Sequence, residues 1–125
     1  MMKADIWSLG ITAMELYKGY PPLARFEAME VIIRTLQGDA PSLDSYSDAF
    51  PCDPTSAFEN WINCVLKKDP EQRYTIDKVL SHKWLNIDEN AIKLKLVELL
   101  KLIPDLEGNV NCDLDIPVYV KIMYI

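Results

Sequence analysis

One histidine, three cysteines and four glycines are unusually few for 125 residues, and each scarcity removes a class of chemistry. Cys52, Cys64 and Cys112 are odd in number, widely spaced and without a CxxC pair, so neither a disulfide framework nor a thiolate zinc site is expected, and a reducing compartment fits best. With no second imidazole or cysteine–carboxylate cluster beside it, His82 is expected to be a packed or capping residue rather than a metal ligand or base. Gly10, Gly19, Gly38 and Gly108 stand too far apart for a G-x-G-x-x-G phosphate loop. Lysine and arginine total 13 against 19 acids, a net charge of -6, and nowhere cluster as a nucleic-acid footprint requires. No apolar run approaches the roughly 20 residues of a membrane span, and "MMKADIW" has no basic segment leading into an apolar core, so no membrane anchor or secretory leader is expected and the cytoplasm is the expected location.

What remains is a globular composition, 50% hydrophobic and 26% charged, long enough for a domain with a real core. "KADIWSLGITAMELYKGYPP" predicts a helix that is apolar nearly all the way round, with only Ser8, Thr12 and Glu15 as a narrow polar line. Such a helix belongs inside a protein. Asp5 is the expected N-cap, and Gly19 with Pro21 and Pro22 supplies the stop.

"RFEAMEVIIRTLQ" predicts a second helix with Met29, Ile32, Ile33 and Leu36 on one face, expected to be core. "GDAPSLDSYSDAFPCDPTS" is turn-rich and reads as a solvated loop; Asp44, Asp48 and Asp53 lack the spacing and glycine of an EF-hand. A third helix in "TSAFENWINCVLKKDPEQR" is capped by Thr55 or Ser56, buries Phe58, Trp61, Ile62, Val65 and Leu66, and is ended by Asp69-Pro70. "TIDKVLSHKWL" predicts a short fourth helix capped by Thr75, with Ile76, Val79, Leu80 and Trp84 inward. A further helix is expected over about residues 89–103, with Ile92, Leu96, Leu99, Leu100 and Ile103 as its seam and Pro104 as its end. "LDIPVYVKIMYI" is strand-like, confined by Pro117 to a sheet edge or a strand's beginning. The expected fold is all-α, apart from that edge strand.

Three signatures in order carry a family resemblance: "DIWSLG" with "GYPP" (Asp5, Trp7, Ser8, Gly10, Gly19, Pro21, Pro22), "KKDPEQR" (Asp69, Pro70, Arg73) and "LSHKWL" (His82, Trp84). Residues 3–85 resemble the C-terminal lobe of a eukaryotic serine/threonine protein kinase. "KADIWSLGITAMEL" and "TLQGDAPSL" are similar to the sterile-twenty-like, germinal-centre group, particularly its Fray and oxidative-stress-responsive branch. The resemblance implies a partial kinase domain over residues 1–85 followed by a tail, 86–125. It also implies that the first helix is the central post of the larger lobe, wrapped on all sides, with the sequence before it cut away.

The resemblance further implies roles for single residues. Asp5, Trp7, Gly10 and Arg73 are structural anchors: Asp5 holds the backbone of a catalytic loop, and Arg73 pairs with a buried glutamate of the activation segment. Both of those partners lie outside this sequence, so an ordinary helix cap is the plainer reading of Asp5. Arg73 is expected to turn to solvent or to borrow Glu71 or Asp77, because an unpaired buried guanidinium is costly. Glu15 matches a position that receives basic substrate side chains, although a solvated polar stripe is the plainer reading. Tyr74 stands where the family has proline, which is expected to loosen the start of the fourth helix.

Phosphoryl transfer needs a phosphate-covering loop, a lysine, a catalytic aspartate and magnesium ligands. This chain has no HRD, DFG or APE string, and "NAIK" (Asn90 to Lys93) sits in a helical pattern. No catalytic, cofactor-binding or metal residue is therefore assigned. ATP and magnesium are expected of the intact parent kinase only. The expected partners are protein substrates or regulators, or another kinase chain or a second copy through the exposed helices, with Trp7, Leu9 and Met14 uncovered. A non-catalytic docking or dimerisation module is the alternative, and an incomplete gene record a third reading.

Overall fold

A computed structural model describes residues 2–102, and within them the chain is helical: α1 (Lys3–Lys18), α2 (Ala28–Gln37), α3 (Ser56–Val65), α4 (Ile76–Ser81) and α5 (Glu89–Leu100), with single 3₁₀ turns at Leu43–Ser45 and Lys83–Leu85. No strand occurs among the described residues, as the all-α expectation requires. The strand-like segment, Ile103 and Cys112 lie outside them. One compact unit comprises Met1–Asn86, and a second begins at Ile87.

α1 packs against α3, and the contact has a specific cause at Gly10. A Cβ there would stand 2.8 Å from both Leu66 Cδ2 and Val65 Cγ2, so only glycine lets the two helices approach this closely. Around that contact Ile6, Ala13, Met14 and Tyr17 of α1 meet a core formed by Phe58, Trp61, Ile62, Val65, Leu66 and Val79. The predicted face of α3 is thus buried in full, and Thr55 Oγ1 accepts the Phe58 N–H at 3.2 Å as its cap. A row of rings continues this core, running Tyr20, Tyr46, Phe50, Tyr17, Phe58, Trp84, Trp61 with centroid separations of 4.7–5.6 Å.

α1 ends where predicted. Gly19 adopts φ 100°, a left-handed conformation that costs glycine little, and its N–H donates to the Glu15 carbonyl at 2.7 Å. The start differs from expectation: the helix begins at Lys3, Met2 occupies the cap position, and Asp5 lies three residues in, its carboxylate reaching back to accept the Met2 N–H at 3.3 Å. Met14 is fully buried rather than uncovered, because α3 lies against it. Leu9 and Leu16 are 39% and 41% exposed, so in this chain α1 is covered on one side and not all round.

α2 departs most from expectation. None of its residues is buried, and Met29, Ile32, Ile33 and Leu36 face outward. Its inner side is the narrow strip of Val31 and Thr35, which meets the Pro21–Phe26 turn and Pro41. Lys68 fixes its C-terminal end by donating to the carbonyls of Leu36, at 3.0 Å, and Gly38. Leu80 of α4 is likewise 64% exposed while Val79 is buried, since six helical residues turn only one of the two inward. Thr75 occupies the cap position of α4 without a side-chain cap bond. α5 ends at Leu100, three residues before the expected limit, and its cap is Asp88, whose carboxylate accepts the Asn90 N–H at 3.0 Å.

Candidate functional site

The half of α1 that α3 leaves uncovered borders a groove of about 270 Å³. Trp7 and Ile11 form its floor on the helix, Pro21, Pro22, Leu23 and Phe26 one wall, and Val31, Thr35 and Pro41 the other. The Pro-Pro sequence after Gly19 builds the first wall, because proline cannot continue the helix and its fixed φ turns the chain back across α1. Trp7 is held from above by the Arg73 guanidinium, 5.0 Å from its ring centroid. None of the lining side chains titrates, so the groove can bind an apolar segment but cannot move a proton.

Arg73 overturns both alternatives expected of it. It is only 8% exposed and borrows no acid; its Nε donates to the Lys67 carbonyl at 2.8 Å, Nη1 to the Lys3 carbonyl at 2.7 Å and Nη2 to the Lys68 carbonyl at 3.2 Å. Lys3 returns the contact by donating Nζ to the Arg73 carbonyl. Carbonyl dipoles thus replace the carboxylate, and the start of α1 is tied to the segment between α3 and α4. Tyr74, next in sequence, ties the entry to α4 back onto α3. Its N–H donates to the Cys64 carbonyl at 3.2 Å, a bond proline could not make, and its hydroxyl meets the Cys64 thiol, which raises the phenol's pKa.

The polar line stands apart from the groove, with Ser8, Thr12 and Glu15 all exposed. Ser8 Oγ donates to the Ala4 carbonyl at 3.1 Å and Thr12 Oγ1 to the Ser8 carbonyl at 2.8 Å, so both hydroxyls are spent on their own helix. His82 is a capping residue, as expected: Nδ1 accepts the Trp84 N–H at 3.1 Å while Nε2 lies 2.9 Å from Asn60 Oδ1. Lys93 lies within α5.

Sequence reasoning missed Lys18. At the end of α1 its side chain is 3% exposed, and Nζ reaches Asp48 Oδ2 at 2.7 Å and the Ala49 carbonyl. The rings of Phe50, Tyr20 and Tyr46 stand 5.1–5.8 Å from the ammonium. Tyr20 also donates its hydroxyl to Asp48 Oδ1. These bonds, that from Lys18 first, hold the Asp48 carboxyl below its ordinary value, while the bond to Asp48 raises the Tyr20 phenol and burial raises that of Tyr46. The loop expected to be merely solvated is clamped to α1. The only sequence signal was "YSDAF", aromatics interleaved with an acid.

A donor set for magnesium-ATP would need carboxylates converging on the metal and cations on the phosphates. The groove offers neither, and among the described residues no group of three or more His, Cys, Asp or Glu side chains could hold a metal ion. A neighbouring hollow of about 370 Å³ mixes Arg25 and Arg34 with Asp39 and Asp44. Arg34 is already committed there, to Glu30 at 2.7 Å and to the Phe26 ring at 3.9 Å. These residues do not fit the nucleotide.

A helical stack built around α1, with the Trp7–Arg73 contact at one end of the helix and a proline wall at the other, is the architecture of a kinase C-terminal lobe. The family model of the protein kinase domain matches residues 1–85, and the chain belongs to that family. It is 38% identical over 96 residues to the serine/threonine-protein kinase dst2 of Dictyostelium discoideum, covering 76% of this chain and 8% of that protein. It is 36% identical over 107 residues to Germinal center kinase 3 of Caenorhabditis elegans, covering 82% and 18%. A third relative, the serine/threonine-protein kinase fray2 of Dictyostelium discoideum, is 38% identical over 80 residues, or 64% and 8%. The chain therefore spans 8–18% of the length of these relatives. Among the described residues, no helix is long and apolar enough to cross a membrane.

Proposed function

We propose that residues 1–85 are the lower part of the larger lobe of a cytoplasmic serine/threonine kinase of the sterile-twenty-like, germinal-centre group, with residues 86–125 as its tail. The parent activity is magnesium-dependent transfer of the ATP γ-phosphate to a protein hydroxyl in signalling. This chain by itself neither binds ATP nor transfers phosphate. The observation that carries the reading is the groove: the anchor Trp7 lies in its floor, yet its lining holds no group for phosphate or metal. Placement in the Fray and oxidative-stress-responsive branch rests on "KADIWSLGITAMEL" and the likeness to fray2. Within the lobe, Trp7, Gly10 and Arg73 are positioning residues, Asp5 is the anchor for a catalytic loop, and Glu15 faces a basic substrate side chain. A second reading, a docking module for protein substrates or regulators, draws on the same groove, since an apolar cleft lined by Trp7, Ile11, Leu23 and Phe26 suits an extended apolar segment.

Incubating the full chain with radiolabelled ATP, magnesium and a generic basic protein substrate separates catalysis from its absence. Background labelling is expected; magnesium-dependent labelling that follows the purified chain would overturn the assignment.

A further inference from the structure

Beside the Lys18 clamp, a hollow of about 320 Å³ opens between the turn after α1, where Tyr20, Pro22 and Arg25 line it, and loop residues 45–47. Arg25 is the one charged side chain among the described residues of its lining. Its guanidinium lies 4.8 Å from the Phe26 ring centroid and forms no ion pair among the described residues. Of the hydroxyls opposite, two are already spent: Ser45 Oγ accepts the Ser42 N–H at 2.9 Å, and Tyr46 donates to the Tyr20 carbonyl at 2.9 Å. Ser47 is exposed, and its hydroxyl holds no hydrogen bond among the described residues. A cation without an acid, sharing a hollow with a free serine hydroxyl, is an arrangement that a phosphorylated side chain completes. We propose that Ser47 is a phosphorylation site and that Arg25 receives its phosphate, stapling the loop to the turn after α1.

The acid next in sequence does not oppose this. Asp48 already shares its charge with the Lys18 ammonium at 2.7 Å and accepts the Tyr20 hydroxyl. Asp44, three residues before Ser47, and Asp53, six after, are exposed. The modifying enzyme is therefore a serine kinase with a basic substrate groove, since charge complementarity selects the partner. This chain has no catalytic motif, so the phosphoryl group comes from ATP held by that enzyme. Ser47 Oγ bonds to the γ-phosphorus, the bond from that phosphorus to the β–γ bridging oxygen breaks, ADP leaves, and the hydroxyl proton passes to the enzyme's base. The phosphate dianion then faces a planar guanidinium able to donate two parallel N–H bonds.

The inference is independent of the kinase reading. Incubating the full chain with ATP and an acid-directed serine kinase, then mapping by mass spectrometry, should place phosphate on Ser47, and that label should be lost in Ser47→Ala. Phosphoserine installed at position 47 by genetic encoding tests the staple, read by phosphorus NMR against pH. Its titration midpoint should lie about 0.5 pH unit lower in the otherwise unaltered chain than in the same chain with Arg25→Gln, because an adjacent cation favours the dianion. Arg34→Gln, whose guanidinium is committed to Glu30, should leave the midpoint where it is. Circular dichroism checks that both variants keep the fold. Label that never reaches Ser47 overturns the acceptor, and a midpoint indifferent to Arg25→Gln, or equally moved by Arg34→Gln, overturns the staple.

Discussion

A lysine with almost no exposure is the residue whose role most exceeds what its letter suggests. Lysine is ordinarily left at the surface because stripping water from an ammonium is expensive. Lys18 is tolerated because a carboxylate, a backbone carbonyl and aromatic faces surround it. Asp48 in turn is held ionised to lower pH than an unfolded chain would allow. A carboxyl depressed in the folded state stabilises in full above its unfolded value of 3.8, and that contribution disappears as pH falls through the lower folded value. Melting temperature measured from neutral pH down to about pH 2 should therefore drop on the acid side. Asp48→Asn should be less stable at neutral pH and show a shallower acid decline; an identical acid profile would remove the clamp from the account. The clamp was illegible in sequence because it joins residues 30 apart through a loop with no periodicity. Arg73 was expected to turn to solvent or to borrow Glu71 or Asp77, and its carbonyl partners were not foreseen, since backbone acceptors leave no trace in side-chain identity.

Among the elements, α3 was read correctly in its buried face and its cap because it is covered from both sides, by α1 and by the turn at Trp84. Its apolar stripe therefore has only one reading. The stripe of α2 was identified equally well and assigned to the wrong side. Amphipathicity says that a face exists but not whether this same chain covers it. At the start of α4, family pattern and structure disagree in a testable way. The pattern favours proline at position 74, whereas the bond from the Tyr74 N–H to Cys64 argues against it. Tyr74→Pro should lower stability by about 1 kcal/mol, the net worth of one backbone hydrogen bond. That is about 4–8 °C in melting temperature for a domain of this size. A melting temperature equal to or above wild type would mean that the bond contributes nothing.

At the scale of the whole molecule, three short motifs were enough to place residues 3–85 in a kinase lobe, and the first two carry points where the chain must turn, approach closely or be pinned. Gly10 against Leu66, the left-handed Gly19 before two prolines, and Arg73 over Trp7 are those points. The groove beside Trp7 was not foreseen as a cavity, since it is formed between α1, the proline turn and α2, and periodicity within each does not say how they are spaced. α1, buried on one side only, is nevertheless the post about which the first unit is organised. Amide hydrogen exchange of the full chain tests this most directly. Protection in α1 around Ile6, Ala13 and Met14 should equal that in α3 around Ile62 and Val65, both exchanging only through opening of the whole unit. Exchange in α1 at the rate of a frayed helix, with α3 still protected, would contradict it.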